Sequence, residues 1–263
     1  MKTIALITDF GNKDYFVGVL KGVIKKINPE VEILDISNDI PSYNILSASF
    51  VIEKSFKYFP AETIFLVIVD PGVGSERKIL LVTYNNYYFI APDNGVLTPI
   101  LEKKDKIVRI IDNKRYFLIN GYSTFEARDK MAPVAAYISA GVDIEEITTK
   151  TSEYVLNSDY FPKKSIDSIK GRIIYIDKFG NIITNITKDL LFDAQKESGF
   201  SKFMLEIDKR EIKTFKRSYS DGFEEPFMLI GSHGNLEIAM NKNSAANSIN
   251  ANLNQKFVIK FYL

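Results

Sequence analysis

TIFLVIVDPGVGSERKILLVT, residues 63–83, decides how the chain is read. An unbroken apolar run, Thr63–Val69, ends in Asp70. A proline and two glycines follow, then Arg77, and a second apolar run begins at Ile79. A strand apolar on both faces belongs in a sheet covered on both sides. A glycine-rich loop after a strand suggests a phosphate cradle, but that motif needs a Gly-Lys-Ser/Thr ending that opens a helix. Here Glu76-Arg77-Lys78 runs into ILLVTY, another strand, so the phosphate reading is weak. Two readings stay open. The loop is a hairpin whose glycines take positive φ, with Asp70 capping backbone amides. Or Asp70 and Arg77 form a short constellation at the carboxyl end of a strand, where open α/β sheets place their ligands.

Working outward, residues 1–145 alternate strand-like and helix-like segments. Ile4–Ile7, Val31–Ile36, Ile79–Thr83 and Tyr87–Ile90 read as further strands. Val17–Ile27 and Ile45–Tyr58 carry apolar residues at helical spacing, and Pro60 stops the second. Pro133–Ala140 reads as a helix with Pro in its first turn and Gly141 past its end. This predicts an α/β N-terminal domain with a mostly parallel sheet over residues 1–151. Residues 152–170 are polar, carry a Pro and lack periodicity, which predicts a linker. Over residues 171–263 six short strand-like runs follow, separated by turn signals, with one weak helical candidate at Lys188–Lys196. That predicts a small all-β barrel or sandwich domain.

Composition excludes several chemistries. With 263 residues and 46% hydrophobic content the chain can bury a real core. A net charge of +1 gives no overall field to recruit nucleic acid or anionic lipid. The absence of cysteine rules out disulfides, thiolate catalysis and thiolate zinc sites. The single histidine, His233, rules out a multi-histidine metal site. No stretch reaches membrane-spanning length, and the apolar run at the N-terminus is too short for a signal-peptide core. The expectation is a soluble, cytoplasmic protein with no metal, no nucleic-acid partner and no membrane partner.

Five further motifs stand out. Thr8-Asp9-Phe10-Gly11 puts a second carboxylate after a strand, where it can accept from ribose hydroxyls. It can equally cap the helix near Tyr15, although Asn12 and Asp14 lie nearer. Ala91-Pro92-Asp93-Asn94-Gly95 reads as a turn. Residues 123–129, STFEARD, place two carboxylates, an arginine and two hydroxyls on one loop, or simply a solvated charged cap. Asp177-Lys178-Phe179-Gly180-Asn181 is a turn, yet Asn181 and Asn185 sit among β-branched residues, poor company for unbonded amides. Ser232-His233-Gly234 interrupts two apolar strands.

Taken in order, TDFG at 8–11, VDPGVGSER at 69–77, APDNG at 91–95, STFEARDKMAP at 123–133, IDKFGNIITNI at 176–186 and IGSHGNLEIAM at 230–240 resemble the S-adenosylmethionine (SAM) hydroxide adenosyltransferase family. These are relatives of the fluorinating and chlorinating enzymes that act on SAM. The resemblance implies an α/β domain followed by a β-barrel domain. It also implies a homotrimer with the ligand at the subunit interface, and SAM as substrate with no cofactor. It implies displacement at ribose C5′ by water, giving adenosine and L-methionine. A sulfonium leaving group needs only a positioned, partly desolvated nucleophile. Arg77 would hold and polarise the water while Asp70 orients it or takes its proton. Asp9 would accept the ribose diol, and Thr124 and Phe125 would line the ribose. Asn181 would read the adenine edge with Tyr219 offering its face. Asp177 would pair with the methionine ammonium, and Ser232 and His233 would grip the methionine carboxylate.

The chain departs from the family at Glu126, which stands where the water-using branch has histidine, and at Asn38, where another histidine is usual. Glu126 admits three readings. It is a replacement base, its carboxyl or that of Asp70 pushed up by the like charge beside it. It pairs with Arg77 and ties up the group meant for water. Or it points outward. The second reading implies a SAM- or adenosine-binding protein with impaired chemistry. A SAM-dependent halogenase is a further alternative, opposed by Asp70, whose charge would repel a halide.

Overall fold

The computed structural model describes residues 2–222 and 224–263. The chain divides into two compact units, Met1–Asn157 and Ser158–Leu263. Among the described residues no helix is long and apolar enough to cross a membrane.

The first unit runs β1 (Thr3–Thr8), α1 (Phe16–Ile27), β2 (Glu32–Ser37), α2 (Ile45–Ser55), β3 (Ile64–Ile68), β4 (Ile79–Tyr84) and β5 (Tyr87–Pro92). It continues through α3 (Thr98–Leu101), β6 (Ile107–Ile111), α4 (Ala132–Ser139), α5 (Ile144–Ile147) and β7 (Thr148–Lys150). Every residue of β1 and β3 is buried, as a strand covered on both faces requires. Alternate side chains face opposite ways. Ile4, Leu6, Ile64 and Leu66 pack with Leu20 and Ile24 of α1 and with Val134 and Ile138 of α4. Ala5, Ile7, Phe65 and Val67 pack with Ala48 and Ile52 of α2. Tyr15 precedes α1 without a side-chain cap, and the Asn12 amide goes to Asp39 instead.

The sheet has seven strands in the order β2-β1-β3-β5-β4-β6-β7. The pairs β1–β2, β1–β3 and β3–β5 are parallel. The pairs β4–β5, β4–β6 and β6–β7 are antiparallel. The sheet is therefore mixed, not mostly parallel as expected. The cause is the two-residue turn between β4 and β5. Asn85 and Asn86 both adopt positive φ, 49° and 61°. Two left-handed residues match the twist of a tight hairpin, and Asn tolerates that conformation better than most residues. The same hairpin bears on one of the two readings left open for the glycine loop. Because β5 lies between β3 and β4, the loop carrying Asp70 and Arg77 is a crossover, not a hairpin.

The second unit contains β8 (Lys163–Lys164), β9 (Ser168–Ile176), β10 (Ile182–Thr187), α6 (Lys188–Ser198), β11 (Lys202–Ile207) and β12 (Arg210–Ile212). After these come β13 (Phe227–Ile230), β14 (Asn235–Ala239), α7 (Ala245–Ile249) and β15 (Lys256–Tyr262). The strands form one eight-stranded sheet in the order β12-β11-β15-β9-β10-β14-β13, with β8 on β9. Its named pairings are all antiparallel. Just past β12 a parallel bridge, Phe215 to Met228 of β13, brings the two edges together. The sheet is thus a nearly closed barrel, filled by Ile169, Ile173, Ile182, Leu205, Met228, Leu236 and Ile259. Near-closure hides strand edges that would otherwise pair with other chains. Helix α6 is capped at Thr187, whose side chain accepts from the Leu190 amide, and ends at Gly199 in the left-handed conformation.

Candidate active site

Strands β1 and β3 lie side by side and parallel, so their carboxyl ends meet at one edge of the first unit. The chain leaves β1 through Asp9 and β3 through Asp70. Between them opens a cleft of about 650 Å³, within the range that holds small organic ligands. Asp9, Asp70, Thr124, Phe125 and Glu126 all line it, with Tyr15, Tyr43 and Arg128. Its aromatic wall is built by Phe10, Phe16 and Phe125, whose rings meet at 5.3–5.7 Å.

Asp9 accepts a 2.8 Å hydrogen bond from the Tyr43 amide. Burial pushes its carboxyl above the ordinary aspartate range, against the pull of that amide. Asp70 is gripped by Arg77. The Arg77 Nε–H points at both carboxylate oxygens, 2.8 Å from each, and Nη2 also donates to Asp70. Asn94 holds the end of β3 from the other side, its side-chain amide donating to the Val69 carbonyl at 2.9 Å. The turn read at residues 91–95 is therefore also a brace for Asp70.

Glu126 is buried, 5% exposed. Its Oε2 lies 2.6 Å from Arg77 Nη1. The pair is close in charge but poorly aligned, and among the described residues neither atom has a properly aligned hydrogen bond. The aligned partner of Glu126 is Lys130, which donates to Oε1. Burial opposes ionisation of Glu126, but Lys130 and Arg77 outweigh it and hold its carboxyl below the ordinary range. That runs against the first of the three readings as far as the Glu126 carboxyl itself is concerned. Glu126 does not point outward either. Its position follows from a π-helical turn, Ala127–Met131, that leads into α4. Within it the buried Asp129 accepts from Ser123 and from both arms of Arg128. π-turns are rare and frequent at functional sites.

The second unit carries its own cleft, about 590 Å³, lined by Asp177, Phe179, Asn181, Tyr219, Met240, Lys242 and others. Asp177 organises its own turn. It accepts from the amides of Phe179 and Asn181 and from the Asn181 side chain, at 2.8–2.9 Å. One amide hydrogen of Asn181 is therefore already committed. Ser232 and His233 are not among the residues lining this cleft.

Sequence reasoning missed Glu237. It sits in the fully buried strand β14, 3% exposed. Tyr219 donates to its Oε2 at 2.6 Å, and His233 Nε2 lies 2.5 Å from its Oε1. The Asn235 amide donates to His233 Nδ1 at 3.2 Å. In this arrangement Nδ1 accepts from the Asn235 amide and Nε2 is directed at Glu237. His233 Nε2 is thus spent inside the protein and is not offered to a ligand carboxylate, contrary to the expected grip. Burial, then the Glu237 hydrogen bond and charge, raises the Tyr219 phenol well above its ordinary value. The available signal was a lone carboxylate between Leu236 and Ile238. A buried charge in a strand needs partners.

Gly231 explains how the group fits. A Cβ there would collide with Glu237 Oε1 and lie 2.6 Å from His233 Nε2. Gly231→Ala is expected to break the Glu237–His233 contact and cost about 1–3 kcal/mol. Urea unfolding checks the stability, and a fluorescence titration of adenosine checks whether Tyr219 has loosened. An unchanged midpoint would refute the packing argument.

Comparison with known proteins agrees with the division into two units. Residues 4–148 match the SAM hydroxide adenosyltransferase N-terminal domain and residues 171–258 its C-terminal domain. The chain belongs to the SAM hydroxide adenosyltransferase family. It is 36% identical over 257 residues to the (R)-S-adenosyl-L-methionine hydrolase of Methanocaldococcus jannaschii, covering 94% of this chain and 91% of that one. The enzyme of the same name from Thermus thermophilus is 26% identical, covering 95% and 96%. A fluorinase from an Actinoplanes species is 25% identical, covering 90% of each chain. A crystal structure of an uncharacterized conserved protein from Thermotoga maritima superposes with a TM-score of 0.86 at 33% identity, covering 99% of this chain and 100% of that one.

Proposed function

We propose that this chain is a SAM hydrolase that displaces L-methionine from ribose C5′ with water, releasing adenosine. The observation that carries the proposal is the buried Asp70–Arg77 pair, whose Asp70 lines the cleft at the ends of adjacent parallel strands. Family membership supports it across most of the chain. Water enters in line with the C5′–S bond. The C5′–O bond forms as the bonding pair leaves with sulfur, which becomes a neutral thioether. The water proton passes to Asp70, whose carboxylate Arg77 holds in place. General-base help of this kind contributes about 10²–10⁴ in rate. Asp9 accepts the ribose hydroxyls, and Thr124 and Phe125 line the sugar. Following the family resemblance, Asn181 reads the adenine edge, Tyr219 offers its face, Asp177 pairs with the methionine ammonium and Ser232 grips the methionine carboxylate. His233 contributes through its contact with Glu237.

The relatives' name specifies the (R) configuration at sulfur, and the proposal takes the same substrate. The working form is a cytoplasmic homotrimer with the ligand shared between subunits, a reading supported by the family resemblance. Sedimentation equilibrium at three times the chain mass is the expected result.

One observation favours a second reading. Glu126 sits against Arg77 Nη1, where a polarised water would otherwise lie, so the chain would bind SAM without turning it over. A single experiment separates the two. The protein is incubated with both sulfonium epimers in chloride-free, ¹⁸O-labelled water, and the products are separated with mass detection. Adenosine and methionine, with label in the 5′-hydroxyl and one epimer consumed, is the expected result. No turnover, with SAM or adenosine retained through gel filtration, would replace the hydrolase by the binding protein.

A further inference from the structure

Four ionic groups meet beside the first cleft, which Asp70 and Glu126 line: Asp70, Arg77, Glu126 and Lys130. Their side chains are 7%, 8%, 6% and 17% exposed. Without Lys130 this cluster would hold two carboxylates and one guanidinium. A buried charge left without a full partner is costly, and two carboxylates sharing one cation compete for it.

The geometry shows how that competition is resolved. All the aligned hydrogen bonds of the Arg77 guanidinium go to Asp70. Glu126 receives only a close, misaligned approach from Nη1. Its aligned bond comes from Lys130, four residues on. The Lys130 ammonium lies 6.0 Å from the Phe117 ring centre, so an aromatic face flanks it as well. Of the other charged groups lining the cleft, Asp9 is tied to the Tyr43 amide and Arg128 is paired with Asp129. Asp14 also lines it. Lys130 is therefore the cation that gives Glu126 its aligned bond, beside the misaligned Arg77.

We propose that Lys130 is a positioning residue for the hydrolysis: it draws the Glu126 carboxylate to itself and leaves the Arg77 fork to Asp70. The inference rests on the hydrolase reading. It makes Glu126 and Lys130 one unit, a neutral pair occupying the place where the family carries a histidine.

Two readouts test it, one independent of turnover. The carboxyl carbons of ¹³C-labelled glutamates are titrated by NMR, and the Glu126 signal is identified by its loss in Glu126→Gln. Lys130→Met is expected to raise the Glu126 midpoint by at least about one pH unit, and Lys130→Arg to restore it. In turnover of SAM, Lys130→Met is expected to lower kcat about tenfold with KM nearly unchanged. In the Glu126→Gln background the same replacement should lower kcat no further. An unmoved Glu126 midpoint, or an equal loss of kcat in both backgrounds, would overturn the role. Inactive wild-type protein would sink the hydrolase reading and this role with it, while the titration would still report whether Lys130 holds Glu126. Recovery with Lys130→Arg distinguishes lost charge from a damaged fold.

Discussion

Replacing Asp70 by asparagine is expected to cut turnover of SAM by about a thousandfold while leaving adenosine affinity within a few-fold. Asparagine keeps the size of the side chain and removes the group that takes the water proton. The ribose contact through Asp9 and the aromatic wall of Phe10, Phe16 and Phe125 stay in place, so binding should survive. Single-turnover kinetics beside equilibrium titration of adenosine make the test. Parallel loss of both would assign Asp70 to the architecture of the loop. Retained turnover would show that Arg77, or another group in the cleft, activates water without Asp70.

Replacing Arg77 by methionine should have the largest effect on stability. The guanidinium is 8% exposed and touches both buried carboxylates. Its loss leaves Asp70 and Glu126 with Lys130 as the remaining cation of the cluster. Breaking a buried pair from one side costs about 3–5 kcal/mol. The pH dependence has a definite sign. In the native protein Lys130 and Arg77 outweigh burial and hold the Glu126 carboxyl below its ordinary value of 4.5. That contribution is fully present above the unfolded pKa and is lost as pH falls through the folded one. In the variant burial acts on Glu126 with one cation fewer to oppose it, so its carboxyl binds protons more readily than in the native protein. Acid therefore weakens the variant less than the native protein. The gap between their urea midpoints should shrink from about pH 7 to about pH 4; a gap that stays constant would mean Glu126 does not feel Arg77. Arg77→Lys is no substitute, since an ammonium cannot reproduce the fork on Asp70.

Much of the fold was legible because burial on both faces leaves a plain signature. The run ending at Val69 and the short run at Ile4–Ile7 both became fully buried strands. The lysine-backed periodicity of Val17–Ile27 became α1. The mixed character of the sheet was not legible. It depends on Asn85-Asn86, a weaker hairpin signal than Asn-Gly, and on pairings fixed only in three dimensions.

In the site, sequence reasoning brought together Asp9, Asp70, Arg77, Thr124, Phe125 and Glu126; five of them line one cleft, and Arg77 lies against Asp70 and Glu126. It could not foresee how Glu126 divides between two cations, because that depends on the phase of a π-turn. It assigned His233 to a ligand because Glu237, which claims that imidazole, lies hidden in a strand four residues later. Local motifs reveal which groups are available; competition among buried partners decides which are free.

The turn at Asn85 and Asn86 also bears on the order of assembly. Tyr84 and Tyr87 pair across it, so β4 and β5 can zip within microseconds of chain collapse. Ile4 must find Ile64 across a long intervening stretch, a much slower search. The hairpin is then expected to nucleate the unit, with β3 recruited onto β5 and β1 onto β3. Asn86→Ala should slow refolding and leave the unfolding rate nearly unchanged, whereas a chevron shifted only in its unfolding arm would place nucleation elsewhere. On this order the strand ends that carry Asp9 and Asp70 are joined last, so the cleft comes into being only after the framework around it has formed.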